Sequence, residues 1–115
     1  MSEPARETMR HVDARTEPLE AYDLEPDEVV DGTPTTAEVS VTTIGDVEVG
    51  IWQITPGTVR DVEKEEVFVV LEGEGSIRFA SGEVVDLGPG SLVRLHAGEV
   101  TEWEIRKTLR KVYVV

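Results

Sequence analysis

The stretch that decides the fold spans residues 65–98 and reads EEVFVVLEGEGSIRFASGEVVDLGPGSLVRLHAG. Runs rich in valine, isoleucine and phenylalanine alternate in it with glycine-containing breaks at 72–74, 80–82 and 87–90. Short β-branched runs bounded by glycine are typical of antiparallel strands joined by tight turns. The stretch therefore predicts a small antiparallel barrel.

The same pattern continues on both sides of this stretch. Apolar and polar residues alternate on either side of the turn at 44–46, which predicts a hairpin. No segment shows a convincing helical period, so eight or more short strands predict an all-β protein, a double-sheet jelly roll or barrel. The predicted strands are 37–43, 46–54, 59–62, 66–72, 75–80, 83–87, 91–95, 100–106 and 109–115.

The chain is divided by composition into three parts. Its 115 residues correspond to one domain, and we assign the barrel to 37–115. Residues 17–36 are acidic and interrupted by Pro18, Pro26 and Pro34, which predicts an extended arm packed on the barrel. Such an arm serves either as a lid or exchanged strand or, our preferred interpretation, as a cover for one open sheet edge. Residues 1–16 have few apolar side chains and are predicted to be a flexible tail.

Charge and cysteine content exclude several classes of function. The net charge of -13 repels phosphate backbones and anionic lipids, so we expect no nucleic-acid partner and no membrane partner. The absence of cysteine excludes disulfides and thiolate zinc sites. No signal peptide and no bilayer-spanning apolar run is visible, so we expect a cytoplasmic protein.

The acidity has two interpretations, adaptation to high salt and an ordinary solvated acidic surface. Only 3 lysines stand against 24 acidic residues, and molar salt would screen the repulsion between those acids. Salt adaptation predicts that the melting temperature rises between low and molar potassium chloride. A melting temperature that does not change with salt would contradict it.

Several motifs together resemble the cupin superfamily. They are GIWQITPG at 50–57, Glu66 followed seven residues later by Gly73, the Gly-Pro-Gly turn at 88–90, and Ala97-Gly98. The resemblance is strongest to the small single-domain cupins grouped with the ureidoglycine aminohydrolase cupin domain. It implies a double-stranded β-helix, or jelly-roll, barrel with a pocket inside, and pairing into a homodimer.

The resemblance also implies where a metal would be held. Metal-binding cupins use two histidines as His-x-His, a glutamate, and a third histidine from a second motif. Here Glu66 retains the glutamate position, whereas Arg60, Val62 and Thr101 occupy the histidine positions. One carboxylate does not make a tight transition-metal site. We therefore expect no metal site and no cofactor, with a weakly bound divalent metal as the alternative.

The pocket residues follow from this resemblance and from strand periodicity. Glu66 is the candidate catalytic acid or base, with Arg60 as its counterion. A buried ion pair or an exposed glutamate is the structural alternative, and core packing is the alternative for the aromatic residues. The candidate ligand-binding residues are Trp52, Phe68, Arg94, His96, Thr101 and Trp103.

Three functions remain open at this point. The first is a binding protein for a small polar or carbohydrate-like molecule that lies around Glu66 without a tightly bound metal. The second is an enzyme resembling ureidoglycine aminohydrolase or a sugar isomerase, which would use Glu66 with Arg60 or a weakly bound metal. The third is a dimer scaffold in which the valine-rich strand 109–115 and the acidic arm 17–36 form the interface. The ligand is not determined by the fold.

Overall fold

The computed structural model describes residues 8–115, which form β-strands and include a short 3₁₀ turn at Pro26–Glu28. The all-β prediction is confirmed. Among residues 8–115, no helix has the length and apolar character needed to cross a bilayer. The strands are β1 (Glu20–Tyr22), β2 (Val29–Asp31), β3 (Thr36–Ile44), β4 (Val47–Ile54), β5 (Gly57–Val62), β6 (Glu66–Phe79), β7 (Val84–Leu87), β8 (Leu92–Leu95) and β9 (Val100–Val114).

Two long antiparallel strands, β6 and β9, form the centre of the barrel. One half of β9 also pairs with β4 and the other half with β5, while β6 pairs with β8 near its start and with β7 near its end. The sheet therefore curls around β6 and β9. This arrangement is the jelly-roll cupin barrel that the sequence predicts.

Two strand breaks predicted from the sequence are absent, because β6 and β9 each continue through them. The register between these two strands shifts three times between Val70 and Gly75. Gly73 has a φ of +108°, and a Cβ at this position would lie 2.4 Å from the Cα of Leu109. Glycine here permits a bend in β6 and close approach of β9 rather than a chain reversal.

The predicted hairpin is confirmed as β3 and β4, which pair from Thr36 with Ile54 to Ile44 with Val47. Its turn contains Gly45, whose φ of +60° lies in the left-handed region. On the barrel side, Ile54 joins a continuous core with Phe68, Ile77 and Leu109. The hairpin thus forms one wall of the barrel.

The segment before the barrel contributes a strand to each outer edge of the sheet. β1 pairs with β3 and β2 pairs with β5. The Arg110 side chain donates to the carbonyls of Ala14 (2.9 Å) and Glu17 (2.6 Å) and so ties the start of this segment to β9. The predicted flexible tail, residues 1–16, falls in part on residues 1–7, which lie outside the described residues.

Candidate functional site

The inner faces of β4, β5, β6 and β9 enclose a cavity of roughly 390 Å³ that opens at one end of the barrel. Strand pairing sets Trp52 of β4 beside Lys111 of β9, and Val59 of β5 beside Trp103 of β9. Tyr22 of β1 also lines the cavity. Because Glu38 of β3 lines it too, six strands contribute to one site, including a strand of the acidic arm.

The centre of the site is an ion pair between Lys111 and Glu66. Lys111 Nζ lies 2.6 Å from Glu66 Oε2, and the two side chains are only 7% and 14% exposed. The backbone of Lys111 pairs with Val70, so its long side chain extends along the barrel interior to reach Glu66. Removing both charges from water costs free energy that their attraction must offset. A buried ion pair of this kind therefore does not by itself show that the pair stabilises the fold.

Three aromatic rings surround the Lys111 ammonium group. Nζ lies 4.2 Å from the ring centroid of Phe68, 4.7 Å from that of Trp52 and 4.9 Å from that of Trp103. Trp103 also packs against both other rings, with centroid separations of 5.7 and 5.5 Å. Burial lowers the pKa of Lys111, although the charge of Glu66 opposes that shift.

A second buried carboxylate, that of Glu63, lies beside this pair. Its Oε2 accepts hydrogen bonds from Thr101 Oγ1 (2.6 Å) and Trp103 Nε1 (3.0 Å). Burial raises the pKa of Glu63, and these two hydrogen bonds only partly offset the effect. The floor of the cavity therefore contains two carboxylates and one amine, largely removed from water.

The elevated pKa of Glu63 predicts a pH dependence of stability. A carboxyl group with a raised pKa in the folded state favours folding while it is protonated, and this contribution is lost as the pH rises above the unfolded value of 4.5. The unfolding free energy of Glu63→Gln minus that of the wild type should therefore increase as the pH is raised above 4.5. Urea unfolding at a series of pH values measures the difference, with exposed Glu104→Gln as the control. A difference that stays constant or falls with pH would contradict the assignment.

The mouth of the cavity is polar and acidic. The Tyr22 hydroxyl accepts a hydrogen bond from Trp52 Nε1 (2.7 Å), and the Tyr113 hydroxyl donates one to Glu48 Oε2 (3.1 Å). Burial of the Tyr113 hydroxyl raises its pKa, and the negative charges of Glu48 and Glu38 raise it further. The other acidic residues here are Glu28, Glu38 and Asp61, and the basic ones are Arg60 and Lys64.

Gly50 provides the space for Tyr113 in this wall. A Cβ at position 50 would lie 2.3 Å from the Tyr113 hydroxyl oxygen and 2.7 Å from the carbonyl oxygen of Val39. The ring of Tyr113 therefore lies directly over the backbone of β4. This close approach explains why glycine occupies position 50 within the strand predicted at 46–54.

The structure brings together some of the predicted site residues. Glu66 and Phe68 lie on the inner face of β6, as the strand period predicts. The Trp103 ring packs against Phe68, and Trp52 lines the same cavity as Glu66. Thr101 is buried at 2% exposure and orients Glu63. Their roles in ligand binding stay predictions.

The remaining predicted residues are placed differently. The expectation that Arg60 is the counterion of Glu66 is wrong, because Lys111 holds that position and Arg60 is an exposed residue at the mouth. Arg94 and His96 lie outside the cavity, in a separate surface depression. Arg94 forms an ion pair with Glu65, and His96 is 60% exposed. Arg94 points outward because β8 turns Val93 and Leu95 into the core.

Sequence reasoning missed Lys111 and Glu63. Lys111 stands eight residues after Trp103, so the two share a face if β9 is continuous. The break predicted between 106 and 109 concealed this relation. Glu63 lies between two strands in a run of charged residues, and nothing in its local sequence separates it from the exposed residues that follow.

The residues present do not fit a metal ion. Among residues 8–115, no three histidine, cysteine, aspartate or glutamate side chains are grouped to hold one. Thr101, at a predicted histidine position, donates to Glu63, and Val62 at another is 64% exposed. A metal at Glu66 would also have to displace the Lys111 ammonium group. No step through a metal follows from this site.

Comparisons with known proteins identify relatives of the fold. A family model described as the EutQ-like cupin domain matches residues 32–113, whereas no curated protein matches the chain. A protein of unknown function from Rhizobium leguminosarum is 27% identical, with a TM-score of 0.63 over 69% of this chain and 78% of that one.

Two further solved structures share the architecture. A protein assigned as ethanolamine utilization protein Q, from Salmonella typhimurium LT2, is 23% identical, with a TM-score of 0.60 over 70% of this chain and 68% of that one. A protein of unknown function from Pseudomonas syringae pv. tomato is 19% identical, with a TM-score of 0.77 over 87% of this chain and 45% of that one. At these identities the likeness concerns the fold.

Proposed function

The chain belongs to the EutQ-like cupin domain family, and from that premise we propose that it binds a small polar molecule inside the barrel without a tightly bound metal. The observation that carries the proposal is the buried Lys111–Glu66 pair at the floor of an open cavity. A cavity of several hundred Å³ with a few convergent polar groups is typical of a small-molecule site. Membership of a fold family does not determine the ligand, so the ligand has to be argued from this cavity.

The polar groups of the cavity suit a ligand that carries both hydrogen-bonding groups and apolar surface. Tyr22, Tyr113 and Glu48 offer polar atoms at the mouth, and the Trp52 ring offers a flat apolar surface between the mouth and Lys111. An indole ring can pack against the carbon face of a polyol or sugar while the polar groups orient its hydroxyls. A carbohydrate-like ligand therefore remains our proposal.

Nuclear magnetic resonance can test this function through the two tryptophan side chains. In ¹⁵N-labelled protein, each indole N–H gives its own signal, and Trp52 lies at the mouth whereas Trp103 is 4% exposed. We expect at least one compound from a panel of polyols, sugars, small alcohols and amines to shift the Trp52 signal saturably. The matched control is Trp52→Phe, which removes the signal that reports on the mouth. A panel that leaves Trp52 unmoved would contradict the proposal.

An enzyme resembling ureidoglycine aminohydrolase or a sugar isomerase is the second candidate. The observation that favours it is a proton-accepting carboxylate in direct contact with a buried amine. In this account Glu66 acts with Lys111 rather than with Arg60. Turnover of a carbonyl or amidine substrate that is lost in Glu66→Gln would support the enzyme. Ligand binding with no turnover would favour the binding protein.

We also propose a homodimer formed through the outer face of the barrel. Val67 of β6 pairs with Val114 of β9, and both are more than a third exposed, as is Leu92 of β8. A contiguous apolar face of this kind often marks an interface between proteins. Light scattering should give twice the mass of one chain, falling to one chain for Val114→Lys but not for Val84→Lys on β7. A wild-type monomer at micromolar concentration would contradict the dimer.

A further inference from the structure

The position of Lys111 is unusual among the lysines of this chain. Lys64 and Lys107 are exposed, whereas Lys111 has its amine at the wall of the cavity with 7% of its side chain accessible. Burying this long side chain beside a carboxylate costs desolvation free energy that an apolar residue would avoid. The amine is therefore better explained by chemistry in the cavity than by stability.

We propose that Lys111 is a nucleophile that forms an imine with a small uncharged aldehyde or ketone in this cavity. The inference rests on the proposed function, because the cavity must first admit a small molecule. It adds a chemical class of ligand and a covalent step. The geometry that carries it is an amine at the cavity wall, surrounded by three rings, with a carboxylate 2.6 Å away.

The rings and the carboxylate have complementary effects on the amine. Phe68, Trp52 and Trp103 hold Nζ in place and exclude water, and desolvation of this kind is a known way to activate a lysine. Glu66 stabilises the ammonium form and, because it contacts Nζ directly, is also placed to accept its proton. The charges of Glu63 and Asp61 also favour the ammonium form, yet the net direction is a lowered pKa of Lys111.

The reaction balances without any further reactant. Glu66 removes a proton from the ammonium group, and the nitrogen lone pair attacks the carbonyl carbon to form a C–N bond. The attacking nitrogen passes one of its protons to the carbonyl oxygen to give a carbinolamine. Proton return from Glu66 allows that oxygen to leave as water, and the product is the protonated imine of Lys111. One ammonium group and one carbonyl compound thus give one protonated imine and one water, with Glu66 returned to its carboxylate form.

The charge of the mouth argues for an uncharged carbonyl compound. Glu28, Glu38, Glu48 and Asp61 line the mouth against two bases, Arg60 and Lys64, and this excess of negative charge repels a ligand that carries a carboxylate of its own. Aldehydes without an acid group should therefore enter more readily than oxo acids. Propanal and glyoxylate are a suitable pair of probes for this difference.

Reductive trapping tests the proposal on the wild-type protein. Propanal and sodium cyanoborohydride are added at pH 7, and peptide mapping measures the alkylation rate at Lys64, Lys107 and Lys111. We expect Lys111 to react at least about tenfold faster than the other two, because burial lowers the pKa of its amine and a positioned acid–base group such as Glu66 accelerates proton transfer by about a hundredfold or more. Denaturant should abolish the difference. Glyoxylate should react more slowly than propanal at Lys111.

Matched variants make the assignment specific. Lys111→Arg keeps the charge and should lose the fast reaction, whereas Lys107→Arg should leave the fast reaction unchanged. A Lys111 rate in the folded wild type no higher than those of Lys64 and Lys107 would overturn the proposal. The Trp52 signal separates this failure from failure of the proposed function, with propan-1-ol as a probe of similar size that cannot form an imine. Saturable binding of propan-1-ol without fast trapping overturns the imine alone, and the absence of both overturns the imine and counts against the binding site.

Discussion

Lys111→Met should lower the free energy of unfolding by about 3–5 kcal/mol, because it leaves the Glu66 carboxylate buried without its counterion. Lys111 Nζ is the atom that contacts Glu66 Oε2, and the Glu66 side chain is only 14% exposed. Methionine retains most of the side-chain volume, so the loss of charge dominates over the creation of a cavity. Urea unfolding monitored by tryptophan fluorescence measures the effect.

The control for this prediction is Lys107→Met. The Lys107 side chain is 76% exposed, and its Nζ lies 3.6 Å from Glu74 Oε1. Loss of this surface ion pair should change the unfolding free energy by at most about 1 kcal/mol. A double variant, Lys111→Met with Glu66→Leu, should recover much of the stability because no buried charge is left unpaired. Equal effects of Lys111→Met and Lys107→Met would show that the buried pair is not formed.

Gly73→Ala is the second change with a large expected effect, a loss of about 3 kcal/mol or more. A Cβ at this position would lie 2.4 Å from both the Cα of Leu109 and the carbonyl oxygen of Thr108, at a backbone φ of +108°. Both contacts are with backbone atoms, so a side-chain rotation cannot relieve them. The added methyl group would push β6 away from β9 at Thr108 and Leu109, which lie just before Lys111 in the same strand.

Gly82→Ala separates the two causes of this loss. Gly82 has a φ of +100° but no atom within 4 Å of an added Cβ, so only backbone strain of about 1–2 kcal/mol is expected. Thermal or urea unfolding of both variants gives the comparison. If the two substitutions cost the same, the contact between β6 and β9 does not require glycine at position 73.

The sequence predicted the barrel because its signals are local. Turn glycines such as Gly45 and the alternation of side chains along β3 and β4 depend on neighbouring residues only. The same alternation placed Glu66 and Phe68 on one face. These features needed no knowledge of which strands pair.

The residues that were missed depend on pairing across the barrel. Lys111 reaches Glu66 over 45 residues of sequence, and Glu63 meets Thr101 over 38. The choice of Arg60 as counterion relied on its place at one of the histidine positions of the cupin motif, whereas the curl of β9 brings Lys111 to the same point. Local patterns carry no information about such contacts.

Metal analysis shows most clearly whether the Lys111 ammonium group takes the place beside Glu66 that a divalent metal would need. The protein is purified without chelator and analysed for manganese, iron, nickel and zinc, and its melting temperature is measured with and without a chelator. We expect far less than one metal ion per chain and no change in melting temperature. One bound metal per chain, together with a melting temperature that falls on chelation, would contradict it.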